Sequence, residues 1–180
     1  MNYIKTYQNV LTKDQCQHLI DKFEDCKIQW SKTELEGHRS FTEININLHS
    51  DWQEYVALLY KQLSPYIEKY KQDCDITSKQ WPDRYGWEHI RFKKYEVNNK
   101  DEFKEHVDVM DYASAKRFLV FFLYLADNKE GQTSFSEYDI SVQPEAGKLL
   151  MFPPVWTYKH TAHKPIETPK YILGSYLHYL

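Results

Sequence analysis

Cysteine is scarce in this sequence, and long apolar runs are missing altogether. The three cysteines, Cys16, Cys26 and Cys74, include no close pair, which argues against a disulfide framework and against a paired-cysteine zinc site. Reduced thiols in a cytosol-like compartment are the simpler interpretation. No stretch of about 18 apolar residues occurs, so we expect no transmembrane helix. The first six residues also lack the apolar stretch of a signal peptide, and we therefore expect a cytoplasmic protein with no membrane partner.

Basic runs and phosphate-binding loops are also missing. The net charge is -3 and both signs are spread along the chain, which weakens any interpretation based on neutralising nucleic-acid phosphates. The sequence contains neither a Gly-x-Gly-x-x-Gly or Walker loop nor a Gly-x-Ser-x-Gly nucleophile elbow. We therefore expect no nucleic-acid partner, and neither nucleotide-binding nor serine-hydrolase chemistry.

The composition is that of one globular domain in two regions. The 180 residues are 42% hydrophobic and 16% aromatic, with fifteen tyrosines, which suits strands and amphipathic pocket walls. We expect a single domain over residues 1–180. Residues 1–86 would be a helical support region, and residues 87–180 would be built of strands.

Local signals within the first region predict two helices and one strand. Thr12 followed by Gln15 is typical of a capping box, and apolar residues then follow a helical period. Alternation over 42–48 predicts a strand. Asp51 is a candidate cap for a second helix, and Pro65 predicts a kink or break one residue before it.

The second region shows the pattern of a sandwich or barrel. Residues 118–125 are nearly all apolar, which predicts a strand buried on both faces. Residues 148–152 and 171–180 predict two more strands. Glycines and prolines punctuate this half, as expected for many short strands joined by turns.

His106-Val107-Asp108 is the first sign of chemistry, because residues two apart in a strand point to the same face. His160 follows 54 residues after His106, and Lys170 follows ten residues later. Two histidines and one carboxylate form the facial triad that holds non-haem Fe(II) and leaves open positions. A zinc site from the same side chains is chemically possible. His163 is a rival to His160, although the spacing to Lys170 favours His160.

From about Tyr95 to the C-terminus the sequence resembles the prolyl 4-hydroxylase-like 2-oxoglutarate oxygenases. The matching segments occur in the family's order. They are Tyr95, His106-x-Asp108, Tyr124-Leu125, Gly131 to Phe135, Pro144 to Phe152, His160 and Lys170-Tyr171. Seven matches in order are far more specific than any single one.

The resemblance implies a fold, a cofactor set and a role for each matched residue. The fold would be mainly β with N-terminal helices (α+β), around a double-stranded β-helix (jelly-roll, cupin-like) core of eight strands. Fe(II), 2-oxoglutarate and O2 would take part, with ascorbate as a reductant. The catalytic iron ligands would be His106, Asp108 and His160. Lys170 would bind the C5 carboxylate of 2-oxoglutarate. The other co-substrate residues would be Tyr124, Tyr95 and Thr133.

Two departures from the family pattern concern loop geometry. Residues 96–99 stand where the family has a glycine, and asparagine can adopt the turn conformation that glycine would supply. Gln132 stands where the family has a glutamate. On the resemblance, residues 97–105 and 28–40 could close over a peptide.

The implied function is hydroxylation of a C–H bond, most readily of a peptidyl proline, with succinate and CO2 as co-products. A free amino acid or small metabolite would use the same core, so the substrate is a peptide, a protein or a small molecule. Arg91 and Arg117 could each hold a substrate carboxylate or backbone. A catalytically silent jelly-roll binding module is the alternative from another class. The oligomeric state stays open.

Overall fold

The computed structural model describes residues 2–180, which build an antiparallel sheet of twelve strands with three α-helices against one face. The strands are β1 (Lys5–Tyr7), β2 (Ser31–Leu35), β3 (Arg39–Asn45), β4 (Tyr85–Trp87), β5 (Arg91–Tyr95), β6 (Phe103–His106), β7 (Arg117–Tyr124), β8 (Thr133–Phe135), β9 (Ile140–Val142), β10 (Leu149–Phe152), β11 (His160–Ala162) and β12 (Lys170–Tyr179). The helices are α1 (Lys13–Asp25), α2 (Gln53–Leu63) and α3 (Pro65–Asp73).

The strand order is β1-β10-β7-β12-β5-β3-β6-β11-β8-β9, with β2 added to β3 and β4 added to β12. Sequence neighbours are mostly not sheet neighbours, so the central pairs join distant parts of the chain. The predicted strands at 118–125, 148–152 and 171–180 are confirmed as β7, β10 and β12. Eight strands, β5 to β12, lie within residues 87–180.

The sheet separates two apolar cores, as the alternation of side chains along β7 illustrates. Phe121 and Leu123 point to the core that the helices cover. Val120 and Tyr124 point to a second core inside the curl of the sheet. Because successive side chains alternate between faces, a strand that is apolar throughout can serve both cores at once. This explains why 118–125 shows no polar face.

The helices begin and end where local signals predict, with one exception. Thr12 caps α1 in a capping box: its hydroxyl accepts from the Gln15 amide at 3.2 Å, and the Gln15 side chain accepts from the Thr12 amide at 2.9 Å. The predicted break before Pro65 is confirmed, since α2 ends at Leu63 and α3 begins at Pro65.

The predicted cap at Asp51 is wrong. Residues Ser50–Trp52 form a 3-10 turn, and α2 begins after it with no side-chain cap. The Asp51 carboxylate instead accepts from Lys22 Nζ at 3.2 Å and from Gln29 Nε2 at 3.1 Å. Two partners from elsewhere in the chain therefore replace the local backbone contact.

Residues 1–86 contribute strands as well as helices. The strand predicted over 42–48 begins earlier and ends at Asn45 as β3, and Ile46–Leu48 is a 3-10 turn. β3 lies inside the sheet between β5 and β6, and β1 pairs with β10 at one edge. β2 is exposed along most of its length, so it carries no apolar alternation that could have revealed it. None of the helices in residues 2–180 has the length and apolarity needed to cross a membrane.

Candidate iron and co-substrate site

Two histidines that are far apart in sequence face each other across paired strands. His106 at the end of β6 is the register partner of His160 at the start of β11. Asp108 follows two residues after His106, and its carboxylate oxygens lie 3.6 Å from His106 Nε2 and 3.7 Å from His160 Nε2. One ligand atom from each residue lies within 4.8 Å of the other two. The structure therefore brings together all three residues that the sequence nominated, in a geometry that could hold one metal ion.

Backbone carbonyls orient both imidazoles. His106 Nδ1 lies 2.7 Å from the Lys104 carbonyl oxygen, and His160 Nδ1 lies 3.1 Å from that of Tyr158. A carbonyl only accepts, so Nδ1 of each ring carries the proton and Nε2 presents its lone pair toward Asp108. Phe103 stacks on His106, with ring centroids 3.3 Å apart. The rings are thus held in the tautomer and orientation that a metal ligand needs.

The electrostatics of the cluster favour an anionic Asp108 carboxylate and a neutral His160 imidazole. Burial raises the pKa of Asp108, but attraction to His160, His106 and Lys93 outweighs it and lowers the pKa to about 2. Burial lowers the pKa of His160 to about 4, against the opposing attraction of Asp108. His160 Nε2 and Asp108 Oδ2 are buried without a hydrogen-bond partner. Buried polar atoms are normally paired, so these two atoms fit a bound cation.

A second group of side chains fixes the backbone at Asp108. Arg117 donates to the Asp108 carbonyl at 3.2 Å. Arg117 is itself held by Glu88 through two bonds of 2.9 Å and lies over the Tyr176 ring at 4.2 Å. The N–H groups of the Arg117 guanidinium bind Glu88 and the Asp108 carbonyl, and its flat face lies over Tyr176. Arg117 therefore holds the backbone that carries Asp108 in place.

A narrow cavity of about 20 Å³ leads away from the cluster into the inner core. Its lining is largely apolar and includes Phe122, Ala162 and Ile172 together with Tyr95 and Thr133. Tyr124 is fully buried beside it and donates its hydroxyl to Thr133 Oγ1 at 2.7 Å. The three predicted co-substrate side chains Tyr95, Tyr124 and Thr133 therefore converge on one side of the cluster.

Lys170 is fully buried behind this cavity and faces no anion. Its Nζ donates to the carbonyls of Gly131 at 2.8 Å and His163 at 2.7 Å, and lies 4.4 Å from the centre of the Tyr95 ring. Burial lowers the pKa of Lys170 to about 7, and no carboxylate among residues 2–180 opposes that shift. A buried ammonium without a counter-ion is rare in proteins, so this residue fits the carboxylate end of a ligand that enters from the metal side.

His163 lies outside the cluster. Its Nε2 lies 2.7 Å from Ser134 Oγ, and its backbone carbonyl holds Lys170. The choice of His160 over His163 therefore agrees with the geometry. Asn99 adopts a φ of 60°, the left-handed conformation expected of an asparagine in place of the family's glycine.

A wider cavity of about 440 Å³ also adjoins the cluster and opens toward solvent. It shares His106, Asp108, Phe103 and Lys93 with the narrow cavity. The sequence analysis did not predict Lys93 as a site residue, although its position relative to Tyr95 could have indicated it. It lies two residues before Tyr95 in a strand, which places both side chains on one face.

One protein-family model matches the part of the chain that carries these residues. Residues 90–178 match the model of the 2OG-Fe(II) oxygenase superfamily. No curated protein sequence is similar enough to the chain to count as a match.

Solved structures of three prolyl hydroxylases share the fold over nearly the whole chain. The viral collagen prolyl hydroxylase of Paramecium Bursaria Chlorella virus-1, in its 2OG complex, is 16% identical, with a TM-score of 0.70 over 99% of this chain and 97% of that one. A Trichoplax adhaerens prolyl hydroxylase, bound to a hypoxia inducible factor peptide fragment, is 16% identical, with a TM-score of 0.75 over 99% and 84%. A Pseudomonas putida prolyl-4-hydroxylase is 15% identical, with a TM-score of 0.70 over 100% and 94%.

The expected jelly-roll fold is thus confirmed, and the sequence resemblance is borne out by both the family model and the shared fold. Residues 90–178 form a 2OG-Fe(II) oxygenase domain, the chain as a whole is prolyl 4-hydroxylase-like in fold, and the two findings together support an Fe(II)- and 2-oxoglutarate-dependent dioxygenase.

Proposed function

We propose that His106, Asp108 and His160 bind the catalytic Fe(II), and that Lys170 binds the C5 carboxylate of 2-oxoglutarate. One observation carries the proposal: a metal-competent cluster opens into a cavity behind which lies a buried ammonium without a counter-ion. A dicarboxylate that chelates the metal with one end would neutralise that ammonium with the other.

Fe(II), 2-oxoglutarate and dioxygen together supply the oxidant that hydroxylates a C–H bond, with succinate and CO2 as co-products. The chain's own part is to position and shield. His106, Asp108 and His160 would hold the metal through two imidazoles and one carboxylate, a set that leaves other positions free for the co-substrate and dioxygen. The carbonyl bonds at Nδ1 prevent either histidine from turning away.

The co-substrate would be held at its far end by charge and by a hydroxyl. Lys170 gives one charge-assisted bond in a dry pocket, where such bonds are strong. Tyr124 and Thr133 share a hydroxyl pair that can turn toward the same carboxylate. Phe122, Ala162 and Ile172 line the cavity with apolar surface, which would limit the access of water to it.

The proposed prime substrate is a peptidyl proline, hydroxylated in the wider cavity. Three relatives with this fold are prolyl hydroxylases, and one of them holds a peptide. The hairpin of β2 and β3 contributes Thr33 and Arg39 to the cavity wall, so an extended peptide could lie along it. Ascorbate would serve as the reductant that keeps the iron in the Fe(II) state between turnovers.

The test measures succinate formed from 2-oxoglutarate with Fe(II) and ascorbate, in the presence of a panel of proline-rich peptides. Hydroxylation is read as a gain of one oxygen in peptide mass. We expect the native protein to hydroxylate at least one peptide and His106→Ala to form neither product. Formation of succinate without oxidation of any peptide would refute peptidyl proline as the substrate. Formation of as much succinate by His106→Ala as by the native protein would refute His106 as an iron ligand.

A further inference from the structure

Lys93 occupies an unusual place beside the metal cluster. In β5 the side chains of Arg91, Lys93 and Tyr95 point to the same face, because residues two apart share a face. Tyr95 lines the co-substrate cavity, and Lys93 lines both the narrow and the wide cavity. Lys93 therefore stands at the boundary where co-substrate and prime substrate would meet.

The Lys93 ammonium is attracted by the carboxylates of Glu43 and Asp108 but is in direct contact with neither. It lies 4.7 Å from the centre of the Phe41 ring, and it forms no ion pair with any carboxylate among residues 2–180. Its register partner Glu43 accepts instead from Thr33 Oγ1 at 2.9 Å.

Other lysines nearby are paired. Lys94, the next residue, contacts Glu24 at 2.7 Å and Glu96 at 2.6 Å. Lys32 contacts Asp101 at 2.8 Å. Lys32 and Lys94 do not line the wider cavity, so the lack of an ion pair at Lys93 goes with its place in that cavity.

The wider cavity carries more uncompensated positive than negative charge. Of its four cations, Arg117 is paired with Glu88, whereas Arg39, Arg91 and Lys93 form no ion pair with residues 2–180. Of its three carboxylates, Asp108 would ligate the metal, and Asp111 accepts from Ser114 at 2.6 and 2.8 Å. Because hydrogen bonds from a neutral serine leave the charge of Asp111 in place, Glu43 and Asp111 are the two remaining anions against three unpaired cations.

The co-substrate does not account for this charge. Under the proposed function, 2-oxoglutarate has one carboxylate on the metal and the other on Lys170. Both carboxylates of the co-substrate are then bound without any contribution from Lys93. An ammonium next to the reacting centre is left for the molecule that fills the wider cavity.

We propose that the prime substrate carries a carboxylate close to the carbon that is hydroxylated, and that Lys93 binds this carboxylate and selects the substrate. Arg91 and Arg39 at the rim favour the approach of the same negative charge. The inference rests on the proposed function, because it assumes that metal and 2-oxoglutarate occupy their sites. The carboxylate can come from an acidic side chain beside a peptidyl proline or from a free amino acid.

The experiment uses the full chain loaded with Mn(II) and saturating 2-oxoglutarate, so that no turnover is needed. Two matched pairs of probes differ only in a carboxylate. They are acetyl-Glu-Pro-Gly-amide against acetyl-Gln-Pro-Gly-amide, and free proline against prolinamide. Relaxation of the probe protons by Mn(II) reports binding beside the metal.

Each pair is measured with native protein, Lys93→Met, Lys93→Arg and the control Lys79→Met. Lys79 is exposed in the turn after α3, so its substitution matches the change in net charge without touching the site.

We expect the carboxylate member of one pair to bind about tenfold more tightly than its neutral partner, as for a charge-assisted bond. The preference should persist in Lys79→Met, survive in part in Lys93→Arg and vanish in Lys93→Met, with 2-oxoglutarate affinity unchanged. The peptide pair and the proline pair identify the source of the carboxylate.

Equal binding within both pairs by the native protein would overturn the inference, and so would a preference that persists in Lys93→Met. A loss of 2-oxoglutarate affinity in Lys93→Met would assign the residue to the co-substrate instead. Failure of the native protein to bind Mn(II) or 2-oxoglutarate at all would overturn the proposed function together with this inference.

Discussion

Replacing Lys170 with methionine separates the contribution of this residue to co-substrate binding from its effect on stability. The side chain is fully buried, and burial lowers its pKa from 10.5 to about 7. At 1.36 kcal/mol per pKa unit, this fall means that burial disfavours the charged ammonium in the folded protein by roughly 5 kcal/mol of free energy. Such a residue is retained at the expense of stability, which is typical of a functional site.

Lys170→Met should weaken 2-oxoglutarate binding strongly. It should not lower the free energy of unfolding of the protein. A hydrogen bond between charged groups contributes about 1.5–3 kcal/mol, so affinity should fall by about 10- to 150-fold. The carbonyls of Gly131 and His163 lose a donor. The removal of a buried, unpaired charge offsets that loss. Calorimetric titration of 2-oxoglutarate into the Mn(II) protein measures the first effect, with Lys79→Met as the control.

The same substitution predicts a change in the pH dependence of stability. Because the folded pKa of Lys170 lies below the unfolded value, the unfolded chain binds more protons between about pH 7 and 10.5. The free energy of unfolding should therefore rise with pH across this window, by up to about 1.4 kcal/mol per pH unit. Below pH 7 the residue is charged in both states and contributes no slope. Denaturant unfolding without co-substrate should show the steeper rise in the native protein than in Lys170→Met. Unchanged 2-oxoglutarate affinity together with an identical pH slope in the two proteins would refute the reasoning.

Three further substitutions test separate parts of the account. Tyr124→Phe should weaken 2-oxoglutarate affinity by about fivefold, since it removes one buried hydroxyl donor worth about 1 kcal/mol. A 2-oxoglutarate affinity equal to that of the native protein would show that the Tyr124 hydroxyl is not needed for binding. Gly147→Ala should lower the melting temperature sharply, because a Cβ at its φ of 80° would lie 2.1 Å from the Leu11 carbonyl oxygen. A native melting temperature would contradict that contact. The pKa of Asp101 is lowered because several hydrogen bonds outweigh burial, so its stabilisation is present above about pH 3.8 and is lost as pH falls further. Asp101→Asn should remove about 1–3 kcal/mol at neutral pH and flatten the acid limb of the denaturation profile, and an unaltered acid limb would argue against it.

Local rules and motif order accounted for much of the fold and for the composition of the site. β7 is apolar at nearly every position, and Pro65 lacks an amide proton, so each constrains its own backbone whatever lies around it. The capping box of Thr12 and Gln15 is local in the same way. His106, Asp108 and His160 were found because their spacing matches a family pattern.

Features that depend on distant partners were not predictable. Asp51 has the right chemistry for a cap, but Lys22 and Gln29 approach it only after α1 has docked on the sheet. β2 is a polar strand whose stability comes from pairing with β3, so its own sequence carries no alternating apolar signal. Which charged side chains of a cavity lack an ion-pair partner could not be predicted either, because this depends on the folded arrangement. That Lys93 is unpaired while Lys94 is paired twice follows from which face of β5 each residue occupies.

The most direct test of the account is the visible absorption of the Fe(II)–2-oxoglutarate chelate under anaerobic conditions. Chelation of 2-oxoglutarate to protein-bound Fe(II) gives a metal-to-ligand charge-transfer band that neither component shows alone. We predict that the band appears in the native protein and in the control His18→Ala, whose histidine lies exposed on α1. It should be lost in His106→Ala. A native protein that gives no band, or a band of native strength in His106→Ala, would contradict the assignment of His106, Asp108 and His160 as the iron site.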